Sequence, residues 1–220
     1  MRLATTPRVA FLRGVAEVVL ARCGRGRMIV AVTGPVGAGP VGAGPVGAGP
    51  VGAGPVGAGP VGAGAAAFAD DLRAVLEERD HAVFRAGMDG FLRSRHAQAA
   101  FGEDTPERFV RFGLDEPTLL RSLVEPFRLG GSTAFVTRVH DAARDAWVEP
   151  KWITGPEDAI LLLDGRFLLR ERLARLWDYR IAIDGDPVDA ADVLAYAEHD
   201  PRDSADLVVD LGDPAHPREA

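Results

Sequence analysis

The sequence predicts an α/β fold, a parallel sheet of about five strands with helices on both faces. Two observations carry that expectation. Five short apolar or β-branched runs, "MIVAVT", "HAVFRAGM", "AILLLDG", "YRIAID" and "DLVVDL", have the length and content of buried strands. Around them lie segments whose apolar residues recur every three to four positions, as in helices that bury one face. At 220 residues the chain is long enough for a single domain with a full core.

Taken in order, Val9, Leu12, Val15 or Ala16, Val19 and Cys23 share one face of an N-terminal amphipathic helix, and Arg13 and Glu17 interrupt its apolar run too early for a signal peptide. "GRGR" breaks the chain before the first strand, Met28 to Thr33. Ala65 to Asp80 predicts a helix with Phe68, Leu72, Val75 and Leu76 inward, and His81 to Met88 a second strand. Thr105-Pro106-Glu107 has the form of a helix start, and Pro117 to Val124 predicts another short helix. "LGGSTAFVTRVHD" reads as an edge hairpin or an irregular loop. Ala159 to Gly165 is a buried strand and "FLLRERLARLW" a helix after it, while "YRIAID" and "DLVVDL" are two further strands separated by the helical "AADVLAYAEH".

A net charge of −7 and a pI near 5.3 give no broad attraction for nucleic acid or an anionic membrane. Cys23 is the one cysteine, which excludes an internal disulfide, a CxxC redox pair and a cysteine-based zinc site, and points to the cytoplasm. None of the five histidines has a partner at metal-ligand spacing. Ile29 to Ala69 carries no charge, yet a Pro at every fifth position of the repeat within it excludes a membrane helix. Nothing in the composition sets the oligomeric state.

Six tandem copies of Gly-Pro-Val-Gly-Ala run from Gly34 to Ala63 and close on Gly64. A unit with Val as its only sizeable apolar side chain has little to bury, so residues 34–64 are expected to be a flexible insertion in one domain spanning 1–220. A spacer joining two separate units is the other reading. The setting gives the stretch a chemical meaning, because a strand, a Gly-rich turn and a helix is the arrangement in which backbone N–H groups hold phosphate. The phosphate-loop pattern is GxxxxGK[ST]. Gly34 to Gly39 satisfies its glycines after the strand, and Gly59 to Gly64 satisfies them before the helix. Ala65 and Ala66 then stand at the Lys and Ser/Thr places, which makes Gly59, Gly62, Gly64, Ala65 and Ala66 the candidate nucleotide-binding residues.

Downstream, "MDGFLRSR", "GEDTPERFVRFGLD", "EPFRLGGSTAFVTRVHD" and "AILLLDGRFLLRERLARLWDYRIAID" follow one another in an order that resembles the uridine kinase and phosphoribulokinase branch of P-loop kinases, in particular the uridine kinase-like proteins of actinobacteria. The resemblance covers nearly the whole chain. It implies a three-layer P-loop NTPase-type sheet, ATP and Mg²⁺ as cofactors, and a nucleoside or similar small hydroxyl compound as substrate. By the same resemblance Asp89 would be the base that accepts the substrate hydroxyl proton, and Asp164 the acidic strand end that orients Mg²⁺. Phe91, Arg93, Asp141 and Arg144 would line the substrate side. As residues alone, Asp89 reads equally as a turn or capping carboxylate, and Asp164-Gly165 as a strand-end turn.

Departures from the family's pattern concentrate on the phosphates. The loop Lys and the metal-binding hydroxyl do much of the work of phosphoryl transfer, and alanine supplies neither. Gly113 stands where the family carries an Asp for the ribose hydroxyls, and only "GDPVDAADVLA" occupies the place of a longer Arg-rich lid. The sequence therefore supports two readings: a uridine kinase-like phosphotransferase with impaired or lost activity, or a non-catalytic relative that serves as a weak nucleotide binder or a protein-interaction module.

Overall fold

The computed structural model describes residues 3–22, 26–35 and 64–220. Helix α1 (Pro7–Arg22) leads into strand β1 (Met28–Thr33), and helix α2 (Ala65–Glu77) into strand β2 (Val83–Gly87). A 3-10 turn, Met88–Phe91, follows β2 directly. Short helices α3 (Arg95–Ala99), α4 (Pro106–Phe112), α5 (Glu116–Leu119) and α6 (Glu125–Leu129) fill the middle of the chain. The two-residue strands β3 (His140–Asp141) and β4 (Ala146–Trp147) make a small antiparallel ribbon. Strand β5 (Ile160–Asp164), helix α7 (Glu171–Ala174), strand β6 (Tyr179–Ile183), helices α8 (Ala190–Glu198) and α9 (Pro201–Ser204), and strands β7 (Leu207–Asp210) and β8 (Arg218–Glu219) complete it.

The main sheet has the order β2-β5-β1-β6-β7-β8. Its first five strands are parallel, as the alternation of strand and helix segments predicts, and β8 adds an antiparallel edge. Alternation along the central strands divides the core in two. Met28, Val30 and Val32 of β1 join Ile160 and Leu162 of β5 under α1 and α2, where Phe68, Leu72, Val75 and Leu76 are fully buried. Ile29 and Ala31, with Leu161 and Leu163, face the opposite side, where Phe91, Phe127, Phe135 and Leu168 pack. Helices α1 and α2 are also clamped by ion pairs, Arg8 to Asp71 at 2.6 Å and Arg13 to Glu78 at 2.8 Å.

Local chemistry accounts for most boundaries. The Thr105 side chain accepts a hydrogen bond from the Arg108 N–H, with Pro106 in the first turn of α4, as the Thr-Pro-Glu pattern predicts. The helix expected from Pro117 to Val124 extends further. Asp115 caps α5, a π-helical turn at Leu120–Val124 follows, and α6 continues to Leu129. The widened turn comes just before Pro126, which has no N–H to donate into a regular helical ladder.

The expected helix over "FLLRERLARLW" is corrected to one short turn, α7. Phe167 has φ of 62°, and Phe167, Leu168 and Leu169 are buried in succession, which one face of a helix cannot provide. The Trp177 indole N–H donates to the Leu168 carbonyl at 2.7 Å and draws the segment into a compact knot against the sheet. "LGGSTAFVTRVHD" is mostly irregular, with only His140 and Asp141 in a strand. Cys23 and the repeat from residue 36 to residue 63 lie outside the described residues. Among those described, no helix is long and apolar enough to cross a membrane.

Candidate active site

The strand register builds the site. Val32 of β1, Asp164 of β5 and Gly87 of β2 are aligned across three adjacent parallel strands, so the chain leaves the sheet at one level with Thr33, Gly165 and Met88-Asp89 side by side. The crevice beyond the carboxyl ends of parallel strands is where open α/β sheets bind ligands. Gly165 is required here. Its φ is +153°, and a Cβ on it would lie 2.4 Å from the Met88 Cβ. The Thr33 hydroxyl donates to the Gly165 carbonyl at 2.9 Å and ties β1 to the same turn. Gly64 caps α2 through its backbone alone, so this helix meets the strand ends without a capping side chain.

Asp164 does not stand free. By alternation it points to the α2 side of the sheet, and so does Arg85 of β2. The Arg85 Nη2 lies 2.7 Å from Asp164 Oδ1, and both side chains are largely buried, 11% and 15% exposed. Arg85 also donates through Nε to Asp70 Oδ1 at 2.8 Å, through Nη1 to the Leu162 carbonyl at 3.0 Å, and through Nη2 to the Ala66 carbonyl at 3.3 Å. Burial works against the Arg85 charge, but Asp164 and Asp70 outweigh it and hold its pKa above the ordinary value. Burial pushes the Asp164 carboxyl up, Arg85 opposes that rise, and Asp70 and Asp89 add to it by repulsion. Because the guanidinium keeps its proton throughout, Asp164 is the partner of the pair that takes up a proton as pH falls.

Asp89 occupies the 3-10 turn at the end of β2. Its side chain reaches solvent, yet protein surrounds it closely enough that partial desolvation raises its pKa, with Arg166 pulling the other way. Arg166 is fixed in turn. It donates to Asp192 Oδ1 at 2.7 Å and Asp189 Oδ1 at 2.6 Å, and it lies 4.8 Å from the centre of the Phe167 ring. The site thus holds two carboxylates, each facing an arginine that another acidic group also grips.

The other candidates are placed as follows. Ala65 is buried and Ala66 exposed in the first turn of α2 after Gly64, whereas Gly59 and Gly62 lie outside the described residues. Phe91 is fully buried under the turn that carries Asp89, and its carbonyl accepts from the Asp115 N–H at 2.9 Å. Arg93 donates to the carbonyls of Phe112 and Leu114 and stacks on Phe101, fastening the loop after α4. In that loop a Cβ on Gly113 would come within 2.6 Å of the Phe109 carbonyl oxygen, so the turn itself excludes an acidic side chain at this position. Asp141 bends the β3–β4 ribbon by accepting from the N–H groups of Ala143 and Arg144, and the Arg144 side chain is exposed. Asp89 and Asp164 are therefore brought together at the strand ends beside α2, while Arg93, Asp141 and Arg144 are held by the segments on the far side of the 3-10 turn.

Sequence reading missed Arg85 and Arg166. A signal for the first existed: a cation in the middle of "VFRAG", at the same alternation as the buried Val83, demands a buried anion on the neighbouring strand. The signal for Arg166 is weaker, since an arginine after Asp-Gly has no pattern that distinguishes it.

Comparison with solved structures agrees with the fold described above. The chain superposes on a protein described as "Possible Uridine Kinase from Bacillus stearothermophilus" with a TM-score of 0.67 at 16% identity, over 91% of this chain and 96% of that one. The fold is that of the P-loop kinases. A "putative fructose transport system kinase from Silicibacter sp. TM1040" shares this kinase fold with a TM-score of 0.57 at 21% identity, over 86% of this chain and 82% of that one. Neither a protein-family profile nor a curated protein sequence matches the chain. At such identities the kinase fold is what is shared, and the chemistry rests on this chain's own residues.

Proposed function

We propose that this chain is a uridine kinase-like protein in which ATP-dependent phosphoryl transfer to a nucleoside or similar small hydroxyl compound is strongly impaired, and which keeps its site as a weak nucleotide binder. The sheet and the helix following the repeat provide the frame of such a site, and Asp89 sits at the strand end where a base would meet a substrate hydroxyl. Desolvation raises its pKa, which makes the ionised Asp89 a better proton acceptor than a fully solvated carboxylate.

One observation carries the impairment. The acidic strand end that would orient a metal is already neutralised by Arg85, and the helix facing it opens with Ala65-Ala66. In phosphoryl transfer the bound ion supplies neutralisation of the charge on the phosphate oxygens. The donor set on this chain does not fit that ion, since no hydroxyl faces Asp164 from α2 and Asp164 is engaged at 2.7 Å. Among the described residues no group of three or more His, Cys, Asp or Glu side chains forms an alternative site. What the chain's own residues still do is orient Asp89 through the Met88–Phe91 turn, hold Arg166 near it, and offer backbone N–H groups at the start of α2 to an anion.

A radiolabelled phosphate-transfer assay with ATP and a panel of nucleosides and sugars, paired with calorimetry of ATP binding, tests this reading. Weak ATP binding with no turnover above background is the expected result. Turnover at an ordinary kinase rate, on the order of 1–100 per second, would refute the impairment. Absence of any ATP binding up to millimolar concentration would favour the protein-interaction alternative.

A further inference from the structure

We infer that the Arg85 guanidinium occupies the place a divalent cation would take in this site, so that the site is closed to metal and accepts a phosphate-bearing ligand as the free anion. The inference deepens the nucleotide reading above and rests on it only for the identity of the ligand.

Position fixes the first step. In P-loop proteins the ion is held between the hydroxyl that opens the loop helix and the acid at the end of a neighbouring strand. In this chain those places belong to Ala66 and Asp164, and a single nitrogen, Arg85 Nη2, lies between the two residues, 2.7 Å from Asp164 Oδ1 and 3.3 Å from the backbone carbonyl of Ala66. Anchoring supplies the second. The guanidinium is also held at Asp70 and at the Leu162 carbonyl, so it cannot swing aside without abandoning four acceptors on two elements, α2 and β5. Charge supplies the third. A divalent ion would have to displace a cation that has already compensated Asp164, and would find no hydroxyl at position 66 to complete its shell. Burial of the pair makes that exchange costlier, because both charges are shielded from the water that would receive the displaced guanidinium.

The arrangement changes how an anion would be met. A metal-dependent site binds the nucleotide as its metal complex, with the ion bridging protein and phosphates. Here Arg85 is already compensated by Asp164 and Asp70, so what the protein itself offers an anion is the N–H groups of the first turn of α2, with no ion to bridge them. Nucleotide affinity should therefore not depend on Mg²⁺.

The test uses the full-length protein and Mn²⁺ followed by electron paramagnetic resonance, with no nucleotide present. Wild type should show no Mn²⁺ site tighter than about 1 mM, and Asp164→Asn should leave that unchanged. Arg85→Gln should gain Mn²⁺ affinity by about tenfold or more, a gain abolished in the Arg85→Gln/Asp164→Asn double variant. A wild-type site below millimolar that Asp164→Asn removes would overturn the inference, as would a folded Arg85→Gln protein that gains nothing. Should Arg85→Gln fail to fold, the comparison of wild type with Asp164→Asn still decides. In a parallel titration, ATP should bind equally in Mg²⁺ and in EDTA, and a tenfold tightening by Mg²⁺ would overturn the inference. ATP that binds in neither medium, with the Mn²⁺ results as expected, would sink the nucleotide reading while the exclusion of metal stands.

Discussion

Replacing Arg85 by Gln perturbs the site at its most constrained point, and the structure sets the size of the effect. The substitution leaves Asp164, only 15% exposed, without its counter-charge, and also removes a bond to Asp70, which is 69% exposed. Breaking one side of a buried ion pair costs about 3–5 kcal/mol, whereas a surface pair contributes about 0–1 kcal/mol. Since some solvent reaches both Arg85 and Asp164, the lower end applies, and a loss of about 3 kcal/mol is expected at pH 7. With a urea slope of about 2 kcal/mol per molar, the unfolding midpoint should fall by about 1.5 M.

The pH dependence gives a second readout. Burial already raises the Asp164 pKa in the folded state, and without the opposing Arg85 it rises further. A folded pKa above the unfolded one contributes stability that is present in acid and lost as pH rises through the folded value. The variant should therefore recover part of its deficit as pH falls from 7 toward about 4, where the unfolded carboxylate also protonates. Adding Asp164→Asn should relieve part of the loss at neutral pH, because it removes the uncompensated charge. A loss below about 1 kcal/mol, or a double variant in which the two effects simply add, would refute the claim that these side chains form a coupled buried pair.

Three further outcomes are expected. Gly165→Ala should destabilise the fold by about 1–3 kcal/mol and shift the backbone resonances of Met88 to Phe91, since its Cβ would meet Met88 at 2.4 Å; unchanged spectra would count against the packing of that turn. Asp89 has a raised folded pKa, so its carboxyl costs stability once ionised, and Asp89→Asn should be neutral to slightly stabilising at pH 7 with the benefit fading in acid; thermal melts across pH that show a net loss would contradict this. Arg166→Gln leaves the buried Asp192 uncompensated and should cost about 3 kcal/mol in urea while raising the Asp89 pKa followed by NMR titration, and an unmoved Asp89 would exclude the electrostatic link between them.

The central strands were legible because each is a short apolar run whose only use is a buried parallel sheet, and β1 and β5 coincide with their expected spans almost residue for residue. Helix α2 was equally plain, its inward residues Phe68, Leu72, Val75 and Leu76 spaced for one face. The segment after β5 was not, because "FLLRERLARLW" has helical composition while its three consecutive buried residues answer to the tertiary core. The acidic positions at the strand ends could be named from the chain. Their partners could not, since Arg85 lies 79 positions before Asp164 in sequence and meets it only through strand pairing.

By itself, then, the sequence determined which segments form the central strands, which helix faces turn inward, and that no Lys or hydroxyl residue follows the last glycine of the repeat, where Ala65 and Ala66 stand, because hydrophobic period and residue identity are local properties. Only the tertiary structure decided that Asp164 is held by Arg85, that Arg166 acts on Asp89 while Arg93 fastens the loop after α4, and that a Cβ on Gly113 would meet the Phe109 carbonyl. Those outcomes depend on the register of parallel strands and on what packs across a turn, and distances of that kind are set by contacts between residues far apart in the chain.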